Sequence, residues 1–219
     1  RHWFNEDIQS WFKAKQAFDG KGIFILDQTH LVVPDNPNYK NAVRMPVDHF
    51  GQFYKNYSEL SDEQKRVLPH HPCYTVSTLL NIDPKAQWFH VSQYDFGPGN
   101  EDELPQGERM IQKFCKDHPG VIKELIMDRG YLSGEWITKI HRDHGIDTLI
   151  PLRKNMEIYE DALDISERDG QWKVLSESKD KSGHLLEQTL VTEIADLDIW
   201  DGCEVKQYVT IAKQKIDIV

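Results

Sequence analysis

The chain has 219 residues, 36 acidic against 26 Lys or Arg side chains, a formal net charge of −10 and a pI near 5.4. No apolar run approaches the roughly 18 residues a membrane helix needs and no charged-then-apolar leader opens the sequence, so a soluble cytoplasmic protein with no membrane partner is expected. Cys73, Cys115 and Cys203 are widely spaced without a C-x-x-C pair, which argues against a disulfide framework and a thiolate zinc site and predicts reduced, mostly buried thiols. Opening at Arg1 and closing on strand-like VTIAKQKIDIV, the chain reads as part of a longer one.

In chain order, Asn5 with Glu6 and Asp7 forms a helix start. Phe4, Ile8, Trp11 and Phe12 then recur at helical spacing, predicting an amphipathic helix that ends near Asp19-Gly20 and packs on a sheet. The apolar run in GIFILDQTH predicts a buried strand ending at Asp27. A short helix from Ser61 to Val67 is capped by Ser61 with Gln64. CYTVSTLL and QWFHVSQY, separated by NIDPKA with Asp83-Pro84 in the turn, predict a hairpin. Met110, Ile111, Phe114 and Cys115 mark a helical face ended by Pro119-Gly120, and the helix beginning DELPQGERM reads as solvated and amphipathic. VIKELIMDRGY supplies a strand to Met127. Trp136, Ile137 and Ile140 mark a helix capped by Ser133 and stopped by Gly145, and DTLIPL is the next strand.

Three antiparallel strands followed by helix-crossover strands predict a mixed sheet with flanking helices, an α/β or α+β layered domain, of which α/β is the fold class adopted for residues 1–155. After Asn155, ALDISERDGQWKVLSES, LLEQTLVTEI and EVKQYVTIAK read as strands separated by turn residues. A β-rich region over 156–219 is expected, with Gly170, Gly183 and Gly202 in its turns.

Two aspartates carry the chemistry. Asp27 and Asp128 each close a short apolar run, so each carboxylate belongs at the rim of a sheet, and on neighbouring strands such a pair is suited to one divalent cation. Phosphoryl transfer needs an activated nucleophile, a stabilised leaving oxygen and relief of charge at the phosphate, which two Mg²⁺ ions about 3.5 to 4 Å apart supply. Mg²⁺ takes one or two carboxylates and keeps its remaining positions for water and phosphate oxygens, so sparse aspartates on a rigid sheet suit it. The plainer reading is local, with Asp27 a strand-end turn former and Asp128 a cap for the segment after it.

FILDQTH, NPNYKNA, HVSQYDFGPGNEDE and above all LIMDRGYLSGEWITKIHRDHGIDTLIPLRKN resemble the catalytic domain of the DDE transposases of bacterial insertion sequences, over about Gly22 to Asn155. The resemblance implies a ribonuclease H-like fold, with residues 1–155 the first part of the core and 156–219 a β-rich insertion region. It implies that Asp27 and Asp128 are two of three catalytic, metal-binding acids, with Mg²⁺ or Mn²⁺ as cofactor. It also implies DNA as partner, at transposon ends and at the target, a homodimer in the active complex, and a place in the bacterial cytoplasm with the nucleoid. The third acid of such enzymes is a glutamate in a late helix. Glu193 and Glu204 lie outside any Y, R, E, K-like helical pattern, so that acid is expected beyond Val219 and the chain is expected to be inactive alone. The alternatives are a non-catalytic DNA-binding or regulatory relative and a ribonuclease H-like nuclease without strand transfer.

Arg129 directly follows Asp128, and Arg153 with Lys154 ends DTLIPL; these are the candidate DNA-phosphate contacts, Arg by a bidentate fork and Lys as a point charge. Thr29 is a weaker candidate for a phosphate or metal-water contact, and Tyr131 reads as packing. His141 and His144 lack an H-E-x-x-H pattern and do not argue for zinc. Trp172 and Trp200 are the aromatics that, by the same resemblance, would hold a flipped base, against a plainer role in packing. The net charge of −10 opposes strong DNA binding by this chain alone, because affinity for duplex DNA comes largely from Lys and Arg.

Overall fold

The computed structural model describes residues 4–14, 18, 20–54, 57–82 and 89–216. Two compact units divide the chain, one of Arg1–Leu132 with Ile140–Pro151 and one of Ser133–Lys139 with Leu152–Val219. The elements run from a π-helical turn (Phe4–Ile8) and α1 (Gln9–Ala14) through β1 (Ile23–Val32), β2 (Val43–Met45), α2 (Asp62–Val67), β3 (His71–Ile82) and β4 (His90–Pro98). Then come α3 (Glu103–Asp117), β5 (Glu124–Met127), a 3-10 turn (Arg129–Tyr131), α4 (Gly134–His144) and β6 (Asp147–Leu149). The chain closes with α5 (Glu157–Asp169), β7 (Lys173–Lys179), β8 (Leu185–Leu197) and β9 (Gln207–Ile216). Among the described residues no helix is long and apolar enough to cross a membrane.

In the first unit the sheet order is β2-β3-β1-β5-β6, with β4 also paired to β3. β1 runs antiparallel to β3, from Ile23↔Ile82 to Val32↔Cys73, and parallel to β5, from Ile23↔Glu124 to Leu26↔Met127. β5 and β6 are parallel, and β3 and β4 form the expected antiparallel hairpin, whose turn at Asp83-Pro84 lies outside the described residues. Burial alternates along the strands: Phe24, Leu26, Cys73, Thr75, Ser77 and Leu79 are fully buried while their neighbours are partly exposed. The period of two puts one face of the sheet in the core. α3 covers that face, with Phe114 packed edge-on against Phe24 at a ring separation of 5.5 Å. Met110, Ile111 and Phe114 are fully buried, and each such side chain contributes roughly 1.5 to 3 kcal/mol.

The N-terminal helical segment docks along β4, so it packs on the sheet as expected. Of its apolar positions Phe12 alone is seen to do so: Trp11 is exposed, and the side chains of Phe4 and Ile8 lie outside the described residues. Asn5 brackets the Tyr94 backbone, donating to its carbonyl at 2.9 Å and accepting from its N–H at 3.2 Å. Gln9 donates to the Ser92 carbonyl at 2.7 Å, and Phe12 stacks on His90 at 4.5 Å. Asn5 therefore lies inside the π-helical turn and does not act as the helix start, and Trp11 is 53% exposed. The expected end at Asp19-Gly20 falls partly outside the described residues. The predicted caps hold: Ser61 and Gln64 make a reciprocal capping box, the Trp136 N–H donates to Ser133 Oγ at 3.3 Å, and Gly145 ends α4 with φ +65°.

Two expectations are corrected. β1 does not end at Asp27 but continues to Val32, because its antiparallel partner β3 runs alongside for that whole length. In the second unit, the segment read as a strand from Ala162 begins as a helix, α5. Ile158, Ala162 and Ser166 are buried at four-residue spacing, whereas the alternation in ALDIS lasts less than a full strand. Gly170 accordingly caps α5, its N–H donating to the Ser166 carbonyl at 3.2 Å, and does not join two strands. The rest of this unit is an antiparallel sheet in the order β7-β8-β9, with Gly183 (φ +89°) and Gly202 (φ +77°) in the two connections. Its core gathers Ile158, Ala162, Ile194 and Val209, with Trp200 packed against them, while every residue of β7 is exposed.

Candidate active site

The parallel pairing of β1 and β5 stops at Leu26↔Met127, and the next residue on each strand is an aspartate. Adjacent strands lie about 4.8 Å apart, so Asp27 and Asp128 are lateral neighbours where β5 ends. Both are exposed. Asp128 Oδ1 accepts from the Gly130 N–H at 2.8 Å and caps the 3-10 turn, so the carboxylate is aimed by its own loop. Asp27 is exposed as a residue, yet protein around its carboxyl partly desolvates it and raises its pKa; the Gln28 backbone hydrogen bond lowers it, and the charge of Asp128 raises it further. The proximity of the two acids is thus felt electrostatically.

The structure adds a third carboxylate that the sequence reading passed over. Glu103, in the first turn of α3, lies against Gly130: a Cβ there would sit 1.3 Å from Glu103 Oε2 and 3.1 Å from Asp128 Oδ1. Glu103 Oε2 is buried, and the Glu103 carboxyl lies beside that of Asp128. Its pKa is pushed up to about 7, first by burial and then by the charges of Asp128 and Asp27. The helix beginning DELPQGERM is therefore not simply a solvated one. Its buried stripe of Met110, Ile111, Phe114 and Cys115 extends one turn earlier to Gln106 and Gly107. That extension was the available signal, since a glutamine on the apolar face of a helix calls for buried partners.

Gly107 explains how the helix comes so near. A Cβ at this position would lie 2.7 Å from Tyr131 Cε1 and 3.1 Å from Leu26 Cδ2, so only glycine lets α3 meet both the residue before Asp27 and the turn after Asp128. Tyr131 is fully buried, as expected of a packing residue, and its hydroxyl pKa is raised chiefly by that burial.

The other predicted residues scatter. Arg129 is exposed in the 3-10 turn beside Asp128, and Thr29 is exposed on β1. Arg153 and Lys154 do not end a strand: β6 stops at Leu149, and both fall, exposed, in the second unit. Glu193 on β8 and Glu204 in the connection to β9 also belong to that unit, and neither is helical. Trp172 lies under the Lys213 ammonium at 4.5 Å, and His141 faces Asp147 at 3.2 Å. Cys73 and Cys115 are buried free thiols and Cys203 is half-buried.

A mixed sheet of this order with flanking helices is a ribonuclease H-like domain, and its paired acids stand at the rim between β1 and β5. The chain belongs to the transposase DDE domain family, whose model matches residues 19–218. No curated protein and no solved structure gives a significant match. The family uses divalent metals, and a donor set of carboxylate oxygens only is chemically apt for a hard cation. Among the described residues no group of three or more His, Cys, Asp or Glu is arranged to hold a metal ion.

Proposed function

We propose that this chain carries the metal-dependent catalytic centre of a DNA transposase, which cleaves phosphodiesters at transposon ends and joins the freed 3′ hydroxyl to target DNA. The observation that supports it most is the register that makes Asp27 and Asp128 lateral neighbours where β5 ends. Asp27 and Asp128 would hold Mg²⁺ or Mn²⁺, which when bound activates the attacking oxygen and offsets charge on the phosphate. The residues of the chain do the positioning. β1, held between β3 and β5, fixes the Asp27 backbone, and the Gly130 N–H holds the Asp128 carboxylate. Arg129 is the nearest candidate in sequence for a phosphate oxygen, with Arg153 and Lys154 contributing to DNA contact elsewhere on the chain. Action as a homodimer, in the cytoplasm with the bacterial nucleoid, belongs to the same reading.

The test is a cleavage and joining assay with the full coding sequence containing this chain and a plasmid carrying the DNA that flanks its gene. Nicks bearing 3′ hydroxyls and joined strands are expected with Mg²⁺ or Mn²⁺, and neither with a chelator, Asp27→Asn or Asp128→Asn. Cleavage without joined strands would favour a hydrolytic nuclease. DNA binding without cleavage would favour a non-catalytic relative.

A further inference from the structure

We propose that Gln106 is the positioning residue of this site, a buried carboxamide that ties the acid-bearing elements to one another, an inference that rests on the metal-binding reading of Asp27 and Asp128. Gln106 is fully buried on α3, one turn after Glu103. Its Oε1 accepts from Gln28 Nε2 at 2.6 Å and from Ser77 Oγ at 2.8 Å, and its Nε2 donates to the Asp95 carbonyl at 3.1 Å. Gln28 is the residue after Asp27, so the first bond anchors the β1 backbone beside that carboxylate. Ser77 faces Gln28 across β1 and β3. One side chain thus links β1, β3, β4 and α3.

A glutamine on this face costs an apolar contact in the core, and a leucine or methionine would fill the volume. What an apolar residue cannot do is fix direction. Oε1 uses both acceptor positions and Nε2 one of its two donors, so the carboxamide has a single satisfied orientation and carries α3 with it. Packing of Phe114 and Met110 is non-directional and does not by itself fix the rotation of α3. The bonds at Gln106 remove that freedom where Glu103 meets Gly130 and where Tyr131 fills the space left by Gly107.

The experiment is Mn²⁺ binding to the full chain, followed by the electron paramagnetic resonance signal of free Mn²⁺ well below the melting temperature. The variants are Gln106→Met, Gln28→Met, Asp27→Asn and Ile111→Val. Partners outside the ligand set typically shift metal affinity by about 10- to 100-fold. Gln106→Met should therefore weaken Mn²⁺ binding by roughly tenfold or more. Gln28→Met, which removes one arm, should weaken it by about threefold. Ile111→Val opens a small cavity further along the same helix and should lower thermal stability without moving the affinity. Gln106→Met binding Mn²⁺ within about twofold of wild type, while Asp27→Asn has lost it, would overturn the proposal and leave the metal-binding reading intact. If Gln106→Met does not fold, unchanged affinity in Gln28→Met has the same meaning. Wild type without Mn²⁺ binding, or Asp27→Asn binding as tightly as wild type, would overturn both.

Discussion

Leu26 and Met127 are the last residues to face each other across the parallel pairing of β1 and β5, and an aspartate follows each. Beyond that rung β5 turns away through Arg129–Tyr131, while β1 continues beside β3 to Val32. Asp27 therefore lies where its strand keeps one neighbour and loses the other. Open α/β sheets bind their ligands outside the carboxyl ends of their strands.

Exposed carboxylates at a rim contribute little to the fold, so Asp27→Asn should leave thermal stability unchanged or slightly raised, because it removes repulsion from Asp128. Asp128→Asn keeps an acceptor for the Gly130 N–H and should also be neutral, whereas Asp128→Ala loses that cap and should cost about 1 kcal/mol. Thermal denaturation of the three variants measures this. A loss above about 3 kcal/mol in either Asn variant would make the aspartate structural.

Stability should depend on pH through Glu103. Its carboxyl has an ordinary value of 4.5 and is raised to about 7 in the folded chain. Between these values the folded state keeps a proton that the unfolded chain has released, so the contribution is fully present below 4.5 and is lost as pH rises through about 7. Allowing for solvent screening, the loss is on the order of 1 to 2 kcal/mol. Asp27, also raised, adds in the same direction at lower pH. Denaturant melts in chelating buffer at pH 5 and pH 8 should show wild type losing stability relative to Glu103→Gln. Parallel curves for the two proteins would refute the shift.

The two glycines nearest the acids should respond differently to alanine. At Gly107 the new methyl meets a fully buried ring and Leu26, and overpacking of this type costs about 1 to 3 kcal/mol. At Gly130 it meets the movable end of Glu103, so Gly130→Ala should fold nearly as well as wild type while displacing that carboxyl. The displaced group returns to solvent, and the pH dependence of stability should shrink towards that of Glu103→Gln. Equal stability losses in the two variants would contradict the packing described.

Backbone protection should follow neighbours and burial. β1 is paired on both sides at Phe24 and Leu26, which are fully buried, whereas β7 is an edge strand exposed along its whole length. Hydrogen exchange should thus be slowest for the amides of Phe24 and Leu26 and much faster along Lys173–Lys179. Comparable protection of the two segments would mean that β7 is covered.

The sequence by itself determined the elements whose signal is local. Apolar runs marked β1 and β5, the spacing of Met110, Ile111 and Phe114 marked α3, and Ser61, Ser133 and Gly145 marked helix ends, because caps and periodicity act within a few residues. Asp27 and Asp128 were legible for the same reason, each at the edge of its run. Only the tertiary structure decided that they are neighbours, since register between β1 and β5 is a contact between residues far apart in the chain. It also decided how far β1 extends, through β3, and that Glu157–Asp169 is a helix, whose buried positions four apart outweigh a brief alternation. Glu103 and Gln106 were read as part of a solvated helix because nothing within α3 shows what its first turn touches. Their meaning comes from Gly130, Gln28, Ser77 and Tyr131, which the fold alone brings within reach.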